Sequence, residues 1–198
     1  MKLLLLLVLT VLINYVQSQL VSITPYVNSC SESESFGIGY QLPVSECLTI
    51  GDNSLYLVLS NDKQVVRSYW LPNCTTPLDF GNAIEFTYNI NSCNTFKIPY
   101  TAGLLSSISL NATIPNQAIV YNYYYESSGT KCLGPSYKVF YTNNYSFDDQ
   151  NEAYNKYTCT KNEPSLYTCN RNGECETENL GGGCQNNWYS VYPYIVTC

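Results

Sequence analysis

Residues 84–90 read Ile84-Glu85-Phe86-Thr87-Tyr88-Asn89-Ile90, and their pattern decides the fold class. Every second side chain is apolar or aromatic and those between are polar, the period of a strand with one buried face. The alternation recurs at Phe96, Ile98 and Tyr100, set against Thr95, Lys97 and Pro99. It returns at Ile108, Leu110, Ala112 and Ile114, set against Ser107, Ser109, Asn111 and Thr113. Working outward, residues 54–60, 64–70, 118–125, 137–142 and 188–196 predict further strands. Turn chemistry separates them at Gly51-Asp52-Asn53, Asn61-Asp62, Leu71-Pro72-Asn73, Asn91-Ser92 and Gly134-Pro135. No stretch carries a convincing helical period. Many short strands with frequent turns predict an all-β domain, an antiparallel β-sandwich or a barrel-like version of one.

From about residue 158 the texture changes. Five cysteines fall among Asn, Glu and the run Gly181-Gly182-Gly183, which predicts a disulfide-rich, loop-rich C-terminal region with a last strand at 188–196. The expected division is a β-rich body over about 19–145 and a Cys-rich tail over about 156–198. Both belong to a single secreted, disulfide-stabilised domain, 19–198.

The secretory expectation rests on the N-terminus. Lys2 supplies a basic n-region, residues 3–13 form an almost unbroken apolar run, and Val16 and Ser18 suit positions −3 and −1 of a signal-peptidase site. The run is shorter than the ~20 residues a spanning helix needs. Residues 1–18 are therefore expected to be a cleaved signal peptide. No later segment is long and apolar enough for a stable membrane anchor, and the C-terminus carries neither a glycolipid-anchor tail nor a retention signal.

An exported chain meets an oxidising compartment, and the cysteines fit it. Cys30, Cys47, Cys74, Cys93, Cys132, Cys159, Cys169, Cys175, Cys184 and Cys198 are even in number and all follow the signal. Metal binding is the competing reading, but the chain has no C-x-x-C pair and no histidine. Disulfides are expected, with the pairing open and no metal. Five cysteines precede residues 142–156 and five follow, so full pairing requires at least one bridge between body and tail. Three sequons, Asn73 (N-C-T), Asn111 (N-A-T) and Asn144 (N-Y-S), become glycosylation candidates on such a chain. The strand pattern sets Asn111 on the solvent face.

Charge and chemistry exclude more than they select. Without Lys2 the mature chain has eight basic side chains against fifteen acidic ones, a net charge of −7. That disfavours nucleic acid, whose phosphates call for clustered Lys and Arg. The missing histidine removes Ser-His-Asp and Cys-His triads and histidine general acids. Carboxylate chemistry survives in principle, with Glu46 and Glu85 the most rigidly placed candidates, but Glu85 sits on the polar face of its strand and reads far better as a solvated strand residue. The acidic run Asp148-Asp149-Gln150-Asn151-Glu152 offers oxygen ligands without the spacing of a calcium loop. No catalytic residue and no cofactor are expected.

Aromatics are the distinctive excess: twenty tyrosines and two tryptophans, with Tyr121, Tyr123, Tyr124 and Tyr125 nearly contiguous. On a strand Tyr121, Tyr123 and Tyr125 share one face and Tyr124 takes the other. Tyr124, and Trp188 behind Asn186 and Asn187, are the candidate ligand-facing aromatics, since an exposed ring among amide side chains suits sugar binding. Tyrosines serving simply as core and cross-strand packing is the plainer account.

The leucine-rich signal, the Asn/Tyr/Ser bias and the stretch Thr24-Pro25-Tyr26-Val27-Asn28-Ser29-Cys30 running on to Cys47 resemble the small cysteine-rich secreted proteins of social amoebae. That resemblance implies an extracellular protein and no particular activity. The functional expectation is a secreted, glycosylated, non-enzymatic protein of cell-surface, matrix or carbohydrate recognition. Its partner would be a carbohydrate or another extracellular protein, and its place outside the cell or in a secretory vesicle lumen. A secreted hydrolase using two carboxylates is the alternative.

Overall fold

In the computed structural model, the described residues are 19–50, 53–74, 78, 80–97, 103–127, 131–148, 154–186 and 191–198. They form fifteen strands: β1 Leu20–Pro25, β2 Ile38–Pro43, β3 Cys47–Ile50, β4 Asn53–Leu59, β5 Val65–Leu71, β6 Ile84–Asn89, β7 Ser92–Phe96, β8 Leu104–Leu110, β9 Ile119–Tyr123, β10 Tyr137–Tyr141, β11 Ser146–Asp148, β12 Tyr154–Thr160, β13 Glu163–Cys169, β14 Cys175–Asn179 and β15 Tyr194–Thr197. All pairings are antiparallel. A seven-stranded sheet runs β15-β9-β10-β2-β1-β8-β7, and two four-stranded sheets run β3-β4-β5-β6 and β11-β12-β13-β14. The fold is all-β and sandwich-like; the sheets stay open, so the barrel-like alternative does not hold.

The large sheet organises the rest. Val196, Tyr121, Val139, Tyr40, Ile23 and Ile108 stand opposite one another across six strands, forming one row on one face. At the β1–β2–β8 end this face meets the β3–β6 sheet. There Val21, Ile23, Leu42 and Ile108 pack with Leu48, Leu55, Leu57, Val66 and Trp70 in an almost waterless core. At the other end the same face meets the β11–β14 sheet, and Ile119, Tyr194 and Val196 pack with Tyr157, Cys159 and Leu180. Full burial of each Val, Leu or Ile contributes about 1.5–3 kcal/mol.

Alternation explains most of the body strands. In β6 and its neighbour β5 the buried positions Tyr88, Val66, Ser68 and Trp70 face inward, while Arg67 and Glu85 face solvent as an exposed ion pair at 3.8 Å. The other face of the large sheet has its own close fit. Phe140 lies directly across from Gly39, and a Cβ there would sit 2.1 Å from the ring, so only glycine fits.

The tail differs from its composition. The stretch that reads as loop-rich contains β12, β13 and β14, joined by tight hairpins. Lys161 and Asn162, at φ of 54° and 64°, make the first of these a two-residue turn with both centres left-handed. Elsewhere β7 covers 92–96, earlier than the alternation at 95–100 suggests, and residues 98–102 lie outside the described residues.

All ten cysteines are bridged: Cys30–Cys93, Cys47–Cys74, Cys132–Cys184, Cys159–Cys198 and Cys169–Cys175. Cys132–Cys184 is a bridge of the kind that the odd cysteine counts demand. It ties the approach to β10 to the segment after β14, and so holds the small C-terminal sheet against the large one.

Candidate functional site

The two four-stranded sheets cover the same face of the large sheet from its two ends and leave a gap between them. The gap is a cleft of about 430 Å³. Its floor is built from alternate residues of four adjacent strands: Tyr121 and Tyr123 from β9, Tyr137, Val139 and Tyr141 from β10, Ile38 and Tyr40 from β2, and Tyr194 and Val196 from β15. One wall is Thr49 and Ile50 of β3. The other is Leu166 of β13, Glu178 of β14, Leu180 and Gln185. Val191 and Tyr192 complete the rim.

Period-two geometry brings these rings together. Tyr123 stands across from both Tyr137 and Tyr194, and Tyr121 across from Val139 and Val196. Tyr123 stacks on Tyr137 with centroids 5.1 Å apart, and Tyr121 meets Tyr141 edge-on at 5.7 Å. Tyr141 stacks on Tyr157 of the C-terminal sheet at 3.8 Å, and the chain of rings continues through Phe147 and Tyr145 to Phe36. Such pairs add about 0.5–1.5 kcal/mol each beyond burial.

The phenol hydroxyls fix the wall. Tyr137 donates to the Thr49 carbonyl at 2.9 Å. Tyr192 accepts from the Thr49 N–H at 3.3 Å and donates to its Oγ1 at 3.4 Å. Gln185 Nε2 donates to the Leu180 carbonyl at 3.0 Å on the opposite wall. Burial dominates the electrostatics of the floor. It pushes the Tyr40 phenol up to about 12, with Tyr145 adding to the rise. Tyr121, Tyr123, Tyr137, Tyr141 and Tyr157 are raised further, again chiefly by burial and then by one another. Tyr194 is raised by burial and then by the Glu178 carboxylate. The floor is therefore lined by neutral phenols, of which Tyr40, Tyr137 and Tyr194 are buried and Tyr121 and Tyr123 half-buried.

Tyr124 follows the end of β9, half-buried, with its N–H donating to the Pro193 carbonyl at 2.9 Å, and it does not line the cleft. Trp188 lies outside the described residues. The tyrosines that do meet in the cleft are Tyr121 and Tyr123, which the alternation set on one face, joined by partners that no local spacing links to them. Asn73, Asn111 and Asn144 are all exposed, and Asn111 and Asn144 take left-handed backbone at φ of 52° and 64°. The Asn111 Oδ1 accepts the Leu20 N–H at 3.1 Å, so its Nδ2 is turned away from that bond. Glu46 is half-buried beside Cys47 and, after burial itself, is the largest contributor to holding the Tyr125 phenol up at about 12. Among the described residues no cluster of three His, Cys, Asp or Glu is placed to hold a metal. No helix among them is long and apolar enough to cross a membrane.

No curated protein and no solved structure matches this chain. A protein-family match does exist, and it runs over residues 1–196. With nearly the whole length covered, the chain belongs to the counting factor-associated protein A/B/C family.

Proposed function

We propose that this is an exported glycoprotein that works by recognition and not by catalysis, with the tyrosine cleft as its binding site for a saccharide. Residues 1–18 act as the removed signal, 19–198 work as one disulfide-held unit outside the cell or in a vesicle lumen, and Asn73, Asn111 and Asn144 carry glycans. The observation that carries the reading is the cleft floor: stacked, neutral phenols beside the polar groups of Thr49 and Gln185. A sugar ring offers an apolar face for stacking and hydroxyls for hydrogen bonds, and this surface supplies both complements. The five bridges and the dense strand pairing support function in an oxidising compartment.

A hydrolase using two carboxylates needs a pair flanking the scissile bond at about 5–10 Å separation. Glu178 is the one carboxylate among the described residues lining the cleft, and Glu85 sits on an outer face in its ion pair with Arg67. The test is saturable binding on a glycan array together with turnover assays on the same polysaccharides. Saturable binding without turnover, weakened by Tyr123→Ala, is the expected result. Turnover abolished by Glu178→Gln would overturn it.

The family's description supports a second reading, association with a counting factor. It predicts that the secreted protein travels in medium as part of a larger particle, and a monomeric elution volume in fresh conditioned medium would remove it.

A further inference from the structure

We propose that the cleft prefers saccharides bearing a free amine, and that Glu178 is the residue that sets this preference. The inference rests on the saccharide reading above and narrows it to a ligand class. Its basis is the charge of the lining. Among the described residues that face the cleft, Glu178 is the one charged side chain, and no Lys or Arg stands beside it. Glu178 belongs to β14, whose five residues are all exposed, and it stands across from Leu166, another wall residue. The Arg67–Glu85 ion pair lies on a different sheet, and no Lys or Arg is among the described residues lining the cleft.

The floor adds to the selection. A protonated amine over a tyrosine face is attracted by the ring quadrupole, and the half-buried Tyr121 and Tyr123 line the cleft. A carboxylated sugar would meet the same faces and Glu178 with the opposite sign. The phenols stay neutral up to strongly alkaline pH because they are buried, so they offer no counter-charge to an anion. The mature chain 19–198 carries a net charge of −7, which raises the local concentration of cations and lowers that of anions.

The experiment compares three probes of equal length: a fully deacetylated glucosamine oligomer, its N-acetylated counterpart and a uronic acid oligomer. Calorimetry is run at a pH of about 6, where sugar amines remain protonated. An exposed ion pair and a cation–π contact together favour the amine about five-fold over the acetylated form. The expected result is that preference in the native chain, no competition by the uronate, and equal affinities for the first two probes in Glu178→Gln. Glu85→Gln, which removes a surface charge away from the cleft, leaves the preference intact. A preference that survives Glu178→Gln, or that disappears equally with Glu85→Gln, overturns the assignment of Glu178. Binding of the acetylated oligomer with no preference for the amine overturns the ligand class but leaves the saccharide reading standing. Failure of all three oligomers to bind overturns both.

Discussion

One face of the seven-stranded sheet is covered twice, and the two coverings differ in chemistry. Under the β3–β6 sheet the contacts are largely aliphatic: Ile23, Leu42, Leu55, Leu57 and Ile108 interlock at full burial, with Trp70, Tyr88 and Phe96 packed among them. Toward the β11–β14 sheet the floor turns to Tyr121, Tyr123, Tyr137 and Tyr141, and the packing leaves a cleft. Branched aliphatic side chains fill space but offer nothing to a polar ligand, so a surface of them is useful only when closed. A tyrosine buries a comparable area and keeps a hydroxyl that tolerates water. The same strands thus serve as structural core at one end and as a wettable platform at the other. The change of residue type along a single cross-strand row, from Ile108 and Ile23 to Tyr40 and Tyr121, marks the boundary.

The strongest way to break that contrast is alkali. A phenol whose pKa is raised on folding stays protonated in the native state, whereas in the unfolded chain it ionises near 10. The unfolded state then binds fewer protons, so stability is unaffected below about pH 10 and falls above it, by about 1.4 kcal/mol per pH unit for each such group. Several phenols in one cluster are raised together, chiefly by burial. Their combined slope exceeds a typical total stability of about 5–15 kcal/mol within two pH units. The protein should therefore unfold cooperatively between about pH 10 and 12, with phenolate absorbance and loss of strand circular dichroism rising together. Ionisation of all tyrosines near pH 10 with the strands intact would mean that the aromatic end is not buried as described.

A smaller effect separates the bridges. Cys132–Cys184 closes a span of 52 residues and couples the C-terminal sheet to the rest, whereas Cys169–Cys175 closes 6 within a single hairpin. Loop-closure entropy gives about 4 kcal/mol for the first and about 2 kcal/mol for the second. Paired Cys→Ser replacements should reproduce that ranking in urea midpoints. Equal losses would mean that the C-terminal sheet docks without needing the crossing bridge.

How much of this was readable beforehand depends on whether a residue's partner lies nearby in sequence. Strands β4, β5, β6 and β8 have one wet and one dry face, so alternation reveals them. Strands β1 and β2 are buried on both faces, which removes the polar half of the pattern from view. The opposite failure hides β14: Cys175-Glu176-Thr177-Glu178-Asn179 is exposed throughout, and a strand with no buried face has no alternation to show. The cleft was half legible. Spacing placed Tyr121 and Tyr123 together, but Tyr137, Tyr192 and Tyr194 join them only through sheet order, which the local sequence does not encode. Tyr124 attracted attention as the odd residue of its run, and the fold leaves it away from the site.

The finest test asks whether the cleft tyrosines act through their rings or their hydroxyls, and Tyr137 isolates the question. It is only 3% exposed, stacks on Tyr123, and donates to the Thr49 carbonyl at 2.9 Å. Tyr137→Phe keeps the ring and the stack and removes one hydrogen bond, leaving the Thr49 carbonyl without that donor. The expected loss is about 1 kcal/mol in chemical denaturation, at the low end of what an unsatisfied buried acceptor costs. Tyr137→Leu removes the stack as well and should lose about 1 kcal/mol more. The gap between the two variants measures what stacking adds to the floor. If Tyr137→Phe is instead as costly as Tyr137→Leu, the hydroxyl at Thr49 is what holds the β3 wall in place, and the cleft is kept open by hydrogen bonds from its floor more than by the packing of its rings.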